Sequence, residues 1–239
     1  MLNTVAKRSG FAGFPSEGLA FLRELQQNNT REWFQPRKAD YERLLKEPAL
    51  AFAEALNAAL NRFAPDYVTD PKKALFRIYR DTRFSHDKTP YKTHVALNFT
   101  RRSMEKLAGA GYYVSVSPKE VEVAGGMYMP GPEQLLKIRG HIAERHRELE
   151  KILAARKLVS AVGDLQGASL TRPPKGWPAD HPAAALLKKK QWYFDVWLDP
   201  GLACRPELAA EVIERFRAMA PVAEFFNAPL LAGRRREYF

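Results

Sequence analysis

The spacing of apolar residues changes twice along the 239-residue chain, and this change constrains the fold more than any other feature. Apolar side chains recur every three or four residues up to about residue 63, alternate with polar ones between residues 75 and 123, and return to helical spacing from residue 132. Helices on both sides of a block of short strands predict an α+β fold. We expect an antiparallel sheet of about five strands, with helices packed on one face and N- and C-terminal helices flanking it.

Prolines and capping residues predict where the helices start and stop. Residues 28–30, Asn-Asn-Thr, are expected to end one helix and cap the next. Pro36 and Pro48 should divide the segment 31–63 into two or three helices. A terminal helix is predicted over residues 205–219, and a shorter apolar segment follows it.

The alternating block and a later aromatic run predict the strands. We expect strands at residues 75–80, 95–99, 112–116 and 191–199, and a further strand that begins at residues 121–123. One face should pack against helices through Phe76, Ile78, Val95, Leu97, Phe99, Val114, Val116, Val121 and Val123. The other face should carry Arg77, Tyr79, Asn98, Tyr113, Ser115 and Glu122, with Tyr128 nearby. A polar and aromatic face of this kind offers a surface for a ligand.

Composition excludes several classes of protein. With 46% hydrophobic and 27% charged residues the chain is an ordinary globular one, and a single cysteine, Cys204, excludes an intramolecular disulfide. No apolar run is long enough to span a membrane and the first residues lack a secretory signal, so we expect a cytoplasmic protein without a membrane partner. We expect one domain over residues 14–231, between a flexible segment 1–13 and a basic tail 232–239.

The densest unusual stretch is RIYRDTRFSHDKTPYKTH, residues 77–94. Guanidinium groups spaced three residues apart repel each other unless an anion lies between them, and arginine binds carboxylate and phosphate through paired hydrogen bonds. We therefore predict a pocket for an anionic ligand, formed by Arg77, Tyr79, Arg80, Arg83, Lys88, Tyr91, Lys92 and Tyr113. If a reaction takes place there, His86 and Asp87 are the candidates for moving a proton.

The same residues allow a purely structural interpretation. Acidic side chains of the chain itself could neutralise the arginines and form a salt-bridged clamp without a ligand. The candidate counter-ions are Asp81, Asp87, Glu120 and Glu122. Catalysis is left undecided, and no cofactor or metal is predicted, because no phosphate-binding or dinucleotide-binding loop is present and the five histidines lack zinc-ligand spacing.

Four motifs together resemble a known family. They are NNTREWF at residues 28–34, the stretch 77–94, AGGMYMP at 124–130, and RPPKGW at 172–177 followed by Asp180-His181-Pro182. Their order and spacing resemble the bacterial and fungal family called domain of unknown function 2461, from about residue 14 to residue 227. The resemblance implies a soluble single-domain protein and no particular activity. His86 departs from it, since the family commonly has lysine there.

Three functions are therefore weighed. The favoured one is binding of an anionic small molecule or nucleotide, suggested by the net charge of +11 and by the stretch 77–94. The second is a nucleic-acid-binding module, suggested by basic residues interleaved with aromatic ones, the lysines 188–190 and the arginines 234–236. The third is a scaffold whose salt bridges are structural. The oligomeric state does not follow from the sequence.

Overall fold

The computed structural model of the protein describes residues 10–104 and 108–231. The fold is α+β, as predicted, with one antiparallel sheet and helices packed around it. The sheet has four strands, β1 (Val95–Thr100), β2 (Gly111–Val116), β3 (Val121–Met127) and β4 (Trp192–Leu198), which are neighbours in this order.

Nine α-helices occur in the described ranges. They are α1 (Ser16–Gln27), α2 (Arg31–Phe34), α3 (Lys38–Tyr41), α4 (Glu47–Phe63), α5 (Pro71–Ala74), α6 (Pro132–Leu153), α7 (Arg156–Val162), α8 (Ala184–Leu187) and α9 (Glu207–Leu231). Short 3-10 turns lie at Gln35–Arg37, Pro65–Tyr67 and Pro200–Cys204, and a π-helical turn lies at Glu42–Lys46. No helix of these ranges is long and apolar enough to cross a membrane.

The prediction of a strand at residues 75–80 is wrong, because the structure has no continuous strand there. This segment makes two isolated antiparallel bridges, one from Leu75 to Leu97 of β1 and one from Tyr79 to Tyr91. The chain bends at Ile78, between the two bridges, so neither pairing extends into a ladder. The alternation of apolar residues is therefore real, but the segment is divided between two partners and the sheet has four strands instead of five.

The described residues group into two compact units by their internal contacts. Unit 1 takes its described residues from Met1–Phe99, Tyr113–Val123 and Trp197–Glu214. Unit 2 takes its described residues from Thr100–Tyr112, Ala124–Val196 and Arg215–Phe239.

In unit 1, a capping threonine and two prolines lie at the starts of helices or in the turns between them. Thr30 caps α2, accepting a 3.3 Å hydrogen bond from the backbone of Trp33, as its place in the sequence predicts. Pro36 lies in a 3-10 turn, and Pro48 lies in the first turn of α4, where a missing N–H costs little. The core of this part includes Leu22, Leu25, Leu45, Phe52 and Leu56, all with at most 1% of their surface exposed.

Part of the segment expected to be flexible, residues 1–13, belongs to the described chain. Phe11 is buried and stacks on Phe52 with ring centroids 4.7 Å apart. Gly13 has φ +103°, and a Cβ there would lie 2.6 Å from the carbonyl carbon of Cys204, so the position requires glycine. Residues 1–9 lie outside the described chain, as does the predicted basic tail 232–239 with its three arginines.

The predicted division of the sheet residues between two faces is mostly matched by their burial. All the residues expected to face the helices are buried except Phe76, which is half-buried and packs near Tyr113, with ring centroids 6.3 Å apart. Phe76 therefore belongs with the face predicted to be polar. On that face, Asn98 and Ser115 are buried rather than open to a ligand.

In unit 2, buried polar side chains bind the backbone of remote segments. Asn227 accepts a 2.8 Å hydrogen bond from the N–H of Ala110 and donates one of 2.9 Å to its carbonyl. Arg139 is buried on α6 and donates to the carbonyl oxygens of Leu187 and Lys189, both at 3.0 Å. These bonds satisfy carbonyls at the end of α8 that the short helix leaves unpaired.

The C-terminal helix is longer than predicted. We expected a helix to residue 219 and a separate apolar segment, but α9 continues to Leu231 through Pro221 and Pro229. The apolar stripe continues beyond Pro221, where Val222 and Phe226 are fully buried. This packing keeps the chain helical although each proline removes one backbone hydrogen bond.

Candidate functional site

Residues 77–92 form a small antiparallel loop structure in unit 1, which we call the basic hairpin. The N–H of Arg80 donates to the carbonyl of Pro90 at 2.9 Å, and the N–H of Lys92 donates to the carbonyl of Ile78 at 2.8 Å. These bonds flank the bridge between Tyr79 and Tyr91. The hairpin brings together the sequence-predicted residues of positions 77–80 and 88–92.

Arg80 is paired within the hairpin. Its guanidinium donates to the carboxylate of Asp87, to the hydroxyl of Thr89 and, at 3.3 Å, to the carbonyl of Thr89. The N–H of Thr89 donates to Asp87 at 2.9 Å. The hydrogen bond from the Thr89 backbone and the adjacent Arg80 lower the pKa of Asp87 to about 2. Asp87, predicted to move a proton, is therefore ionised at neutral pH and engaged in an ion pair.

A second carboxylate lies among the arginines. Arg83 donates to Asp81 through Nε at 3.0 Å and Nη2 at 2.7 Å. This hydrogen bonding to Arg83 lowers the pKa of Asp81 to about 2, and the positive charge of Arg77 contributes to the shift. Asp81 and Asp87 are thus counter-ions, as the structural interpretation proposed, whereas Glu122 accepts a hydrogen bond from Ser115 at 3.1 Å.

The two lysines of the hairpin bind backbone carbonyls. Lys88 donates to Thr82 at 2.9 Å, and Lys92 donates to Arg77 at 3.0 Å. The Lys92 ammonium also lies 4.9 Å from the ring centroid of Phe76, in cation–π geometry. Since Phe76 packs near Tyr113, this contact connects the hairpin to Tyr113 of β2.

Arg77 differs from the other two arginines of the hairpin. Its side chain is exposed, and within residues 10–104 and 108–231 it makes no hydrogen bond or ion pair at contact distance. The hairpin as a whole holds five lysines and arginines against two aspartates, which leaves a formal charge of +3 with His86 neutral. The internal pairs therefore do not neutralise it.

The tip of the hairpin is open to solvent. Phe84 is 94% exposed, and the Arg83 guanidinium lies 5.8 Å from its ring centroid. His86 is exposed as well, and Asp87 binds Arg80 and Thr89 instead of His86. No group of three or more metal-ligating side chains occurs in the described part of the chain.

The hairpin is docked on the N-terminal helices by Asn29, for which the sequence predicts only a place at the end of a helix. The Asn29 side chain donates to the carbonyl of Tyr91 at 2.9 Å and accepts from its N–H at 3.0 Å. The Tyr91 ring stacks on Phe34 with centroids 4.1 Å apart. Asn29 and Phe34 belong to the first motif and Tyr91 to the second, so the two motifs form one structure.

The Tyr91 ring also contacts Tyr79, at a centroid distance of 5.4 Å. Burial raises the pKa of Tyr91, and Gln35 and Arg31 oppose that shift. Burial likewise raises the pKa of the neighbouring Tyr41 to about 12. Tyr79 is 43% exposed and forms the solvent-facing side of this tyrosine cluster, which comprises Tyr41, Tyr79 and Tyr91.

Comparison with known families identifies the chain's relatives. The family model described as "Conserved hypothetical protein (DUF2461)" matches residues 17–225. The chain belongs to the DUF2461 family. No curated protein and no solved structure matches it. The match includes both motifs that Asn29 and Tyr91 join, so the docked hairpin lies wholly within the DUF2461 region.

Proposed function

We propose that this DUF2461 protein binds an anionic ligand, bearing phosphate or carboxylate, on the surface of the basic hairpin around Arg77 and Tyr79. The observation that carries the proposal is the residual charge of +3 on a hairpin whose arginines at positions 80 and 83 already have aspartate partners. Arg77 is the exposed guanidinium that those aspartates leave available for a planar anion.

The ion pairs of the hairpin support binding by holding its shape. Arg80 joins Asp87 to Thr89 across the loop, and Asn29 fixes the backbone of Tyr91. A loop that is ordered before the ligand arrives loses less conformational entropy on binding. Within this proposal, Arg80 and Arg83 brace the site, and Arg77 contacts the anion. The proposal is restricted to binding, because a pKa of about 2 makes Asp87 a weak base and leaves it without a proton to donate at neutral pH.

The test compares two charge-removing variants. Wild type, Arg77→Gln and Arg23→Gln are titrated with inorganic phosphate, citrate and adenosine monophosphate at constant ionic strength, by thermal shift and calorimetry. Arg23 is exposed on α1, so its replacement removes the same charge elsewhere in unit 1. We expect at least one anion to raise the Tm of wild type and Arg23→Gln, and Arg77→Gln to bind that anion about tenfold or more weakly.

Two results would contradict the proposal. One is that no anion raises the Tm beyond the effect of sodium chloride at the same ionic strength. The other is that Arg77→Gln and Arg23→Gln respond alike, which would mean that the stabilisation comes from net charge. Either result would favour the third function considered, a scaffold in which the hairpin's ion pairs are structural.

A further inference from the structure

The Tyr91 hydroxyl stands out among the polar groups around the hairpin. The side chain has 1% of its surface exposed, and the hydroxyl oxygen meets no hydrogen-bond partner in residues 10–104 and 108–231. Gln35 lies close enough to affect its ionisation, but not in hydrogen-bonding geometry. A buried polar group without a partner is costly and rare in native structures, so it calls for a partner from outside the chain.

The rest of the Tyr91 residue is held firmly. Asn29 binds both of its backbone groups, and Phe34 stacks on its ring with an interplanar angle of 26°. The hydroxyl is therefore kept in one place, although no group of the described chain is bonded to it. A fixed donor without an internal acceptor is the arrangement expected of a binding group that is organised before its ligand arrives.

The surroundings of the hydroxyl indicate which chemistry would suit it. Arg31 is exposed and lies on the same short helix as Phe34, whose ring stacks on Tyr91. The positive charge of Arg31 lowers the pKa of Tyr91, and the negative charge of Glu32 on that helix raises it. Tyr79, 43% exposed and in ring contact with Tyr91, is the solvent-facing member of the tyrosine cluster. A phenol O–H can donate to an oxyanion while a guanidinium on a neighbouring helix balances the charge of that anion.

We propose that the Tyr91 hydroxyl donates a hydrogen bond to an oxygen of the bound anion, with Arg31 as the second cation of the site and the Tyr79 side chain moving aside to admit it. This inference rests on the proposed function. It adds two ligand-contacting groups to Arg77 and places part of the ligand between the first motif and the hairpin. Side-chain rotation of an exposed tyrosine is fast and requires no change of the backbone.

The test uses Tyr91→Phe, which keeps the ring and removes only the hydroxyl. Because the hydroxyl is unpaired without ligand, we expect the Tm of the unliganded variant to equal or exceed that of wild type. We expect its affinity for phosphate, citrate or adenosine monophosphate, whichever binds wild type, to fall about tenfold or more. Arg31→Gln should bind the same anion more weakly than wild type. The controls Arg23→Gln and Tyr67→Phe should bind it like wild type, Tyr67 being a buried tyrosine of the Pro65–Tyr67 turn.

The outcomes separate this inference from the proposed function. If wild type binds none of the anions, both fail. If wild type binds and Arg77→Gln is weakened, but Tyr91→Phe and Arg31→Gln bind normally, the inference alone is overturned. A lowered Tm of unliganded Tyr91→Phe with unchanged binding would assign a buried water to the hydroxyl and also overturn it. Should Tyr91→Phe fail to fold, the anion affinity of Arg31→Gln is compared with that of Arg23→Gln. Equal affinities would then overturn the inference.

Discussion

At the scale of single residues, two asparagines carry out a task usually done by a neighbouring strand. Asn29 pairs with both backbone groups of Tyr91, and Asn227 does the same at Ala110. A carboxamide offers one acceptor and a donor group side by side, so it can satisfy a buried N–H and C=O together. In unit 1 this bond pair, rather than any ion pair, determines where Tyr91 lies.

Asn29→Ala should destabilise the protein by about 1–3 kcal/mol, because it leaves both backbone groups of Tyr91 without partners. Asn29→Asp should be no better, since a carboxylate accepts from the Tyr91 N–H but faces its carbonyl without a donor. Denaturant unfolding of both variants measures the effect. Asn28→Ala is the matched control, because the exposed Asn28 side chain donates to the Glu24 carbonyl of the adjacent helix turn and does not reach the hairpin. Equal stability of Asn28→Ala and Asn29→Ala would contradict this role.

The structural roles of some residues in this region can be predicted from the sequence, and those of others cannot. Thr30 was recognisable as a cap because its partner, Trp33, lies three residues away. Asn29 could be interpreted only as part of a helix stop, because its partner is 62 residues distant and asparagine is common where helices end. The charge of the hairpin was visible in the sequence, whereas which arginines are matched depends on loop geometry.

At the scale of elements, the basic hairpin has little apolar burial of its own and relies on polar bonds. Arg80 connects Asp87 and Thr89, and its side chain is 26% exposed while that of Asp87 is 58% exposed. Ion pairs this open to solvent contribute little each. We expect Arg80→Gln to lower the Tm by about 1–3 °C and to leave the protein folded.

The effect of Arg80→Gln should depend on pH. The Thr89 backbone and Arg80 lower the pKa of Asp87 from its ordinary 3.8 to about 2, so the stability it contributes is present above pH 3.8 and is lost as the pH falls through 2. The Tm difference between wild type and Arg80→Gln should therefore be constant above pH 5 and become smaller as the pH falls through 2, down to the part that comes from the hydrogen bonds of Arg80 to Thr89. Asp81 titrates in the same window through Arg83, but it is common to both proteins. Thermal scans across this range provide the measurement, and a difference as large at pH 2 as at pH 7 would contradict the assignment.

Local alternation predicted the strands where one partner runs along the whole segment. β1, β2, β3 and β4 each pair over six or seven residues, and each was found from its pattern. Residues 75–80 have the same alternation, yet Leu75 pairs with β1 and Tyr79 with the far side of the hairpin. Periodicity reports which face a side chain occupies but not how long one partner stays alongside, so this segment could not be told from a strand.

At the scale of the whole molecule, we propose that residues 14–231 fold as one domain, as the sequence predicts. All four strands contribute residues to both compact units, so neither unit has a complete strand of its own. Unfolding should therefore be a single cooperative transition in calorimetry, with equal calorimetric and van't Hoff enthalpies. Two separable transitions would show that the units unfold independently.

The formal charge of +11 belongs to the whole chain and acts on any polyanion. It supports the nucleic-acid alternative together with the basic residues interleaved with aromatic ones, the lysines 188–190 and the arginines 234–236. The three arginines lie outside the described residues. Attraction of this kind depends on the number of phosphates contacted and is lost with added salt. A specific anion site should instead depend on particular side chains.

We therefore expect a fluorescently labelled single-stranded oligonucleotide to bind at 50 mM salt and to lose about 100-fold or more in affinity by 200 mM. Arg77→Gln and Arg23→Gln should weaken this binding equally, because each removes one charge from the total. Fluorescence anisotropy at several salt concentrations measures both effects. A much larger loss for Arg77→Gln would mean that the hairpin binds the strand itself, with the exposed Phe84 available for base stacking. Affinity that persists at 200 mM only together with that larger loss would have the same meaning. In that event the ligand would be a nucleic acid, and the small-molecule proposal would give way to the alternative.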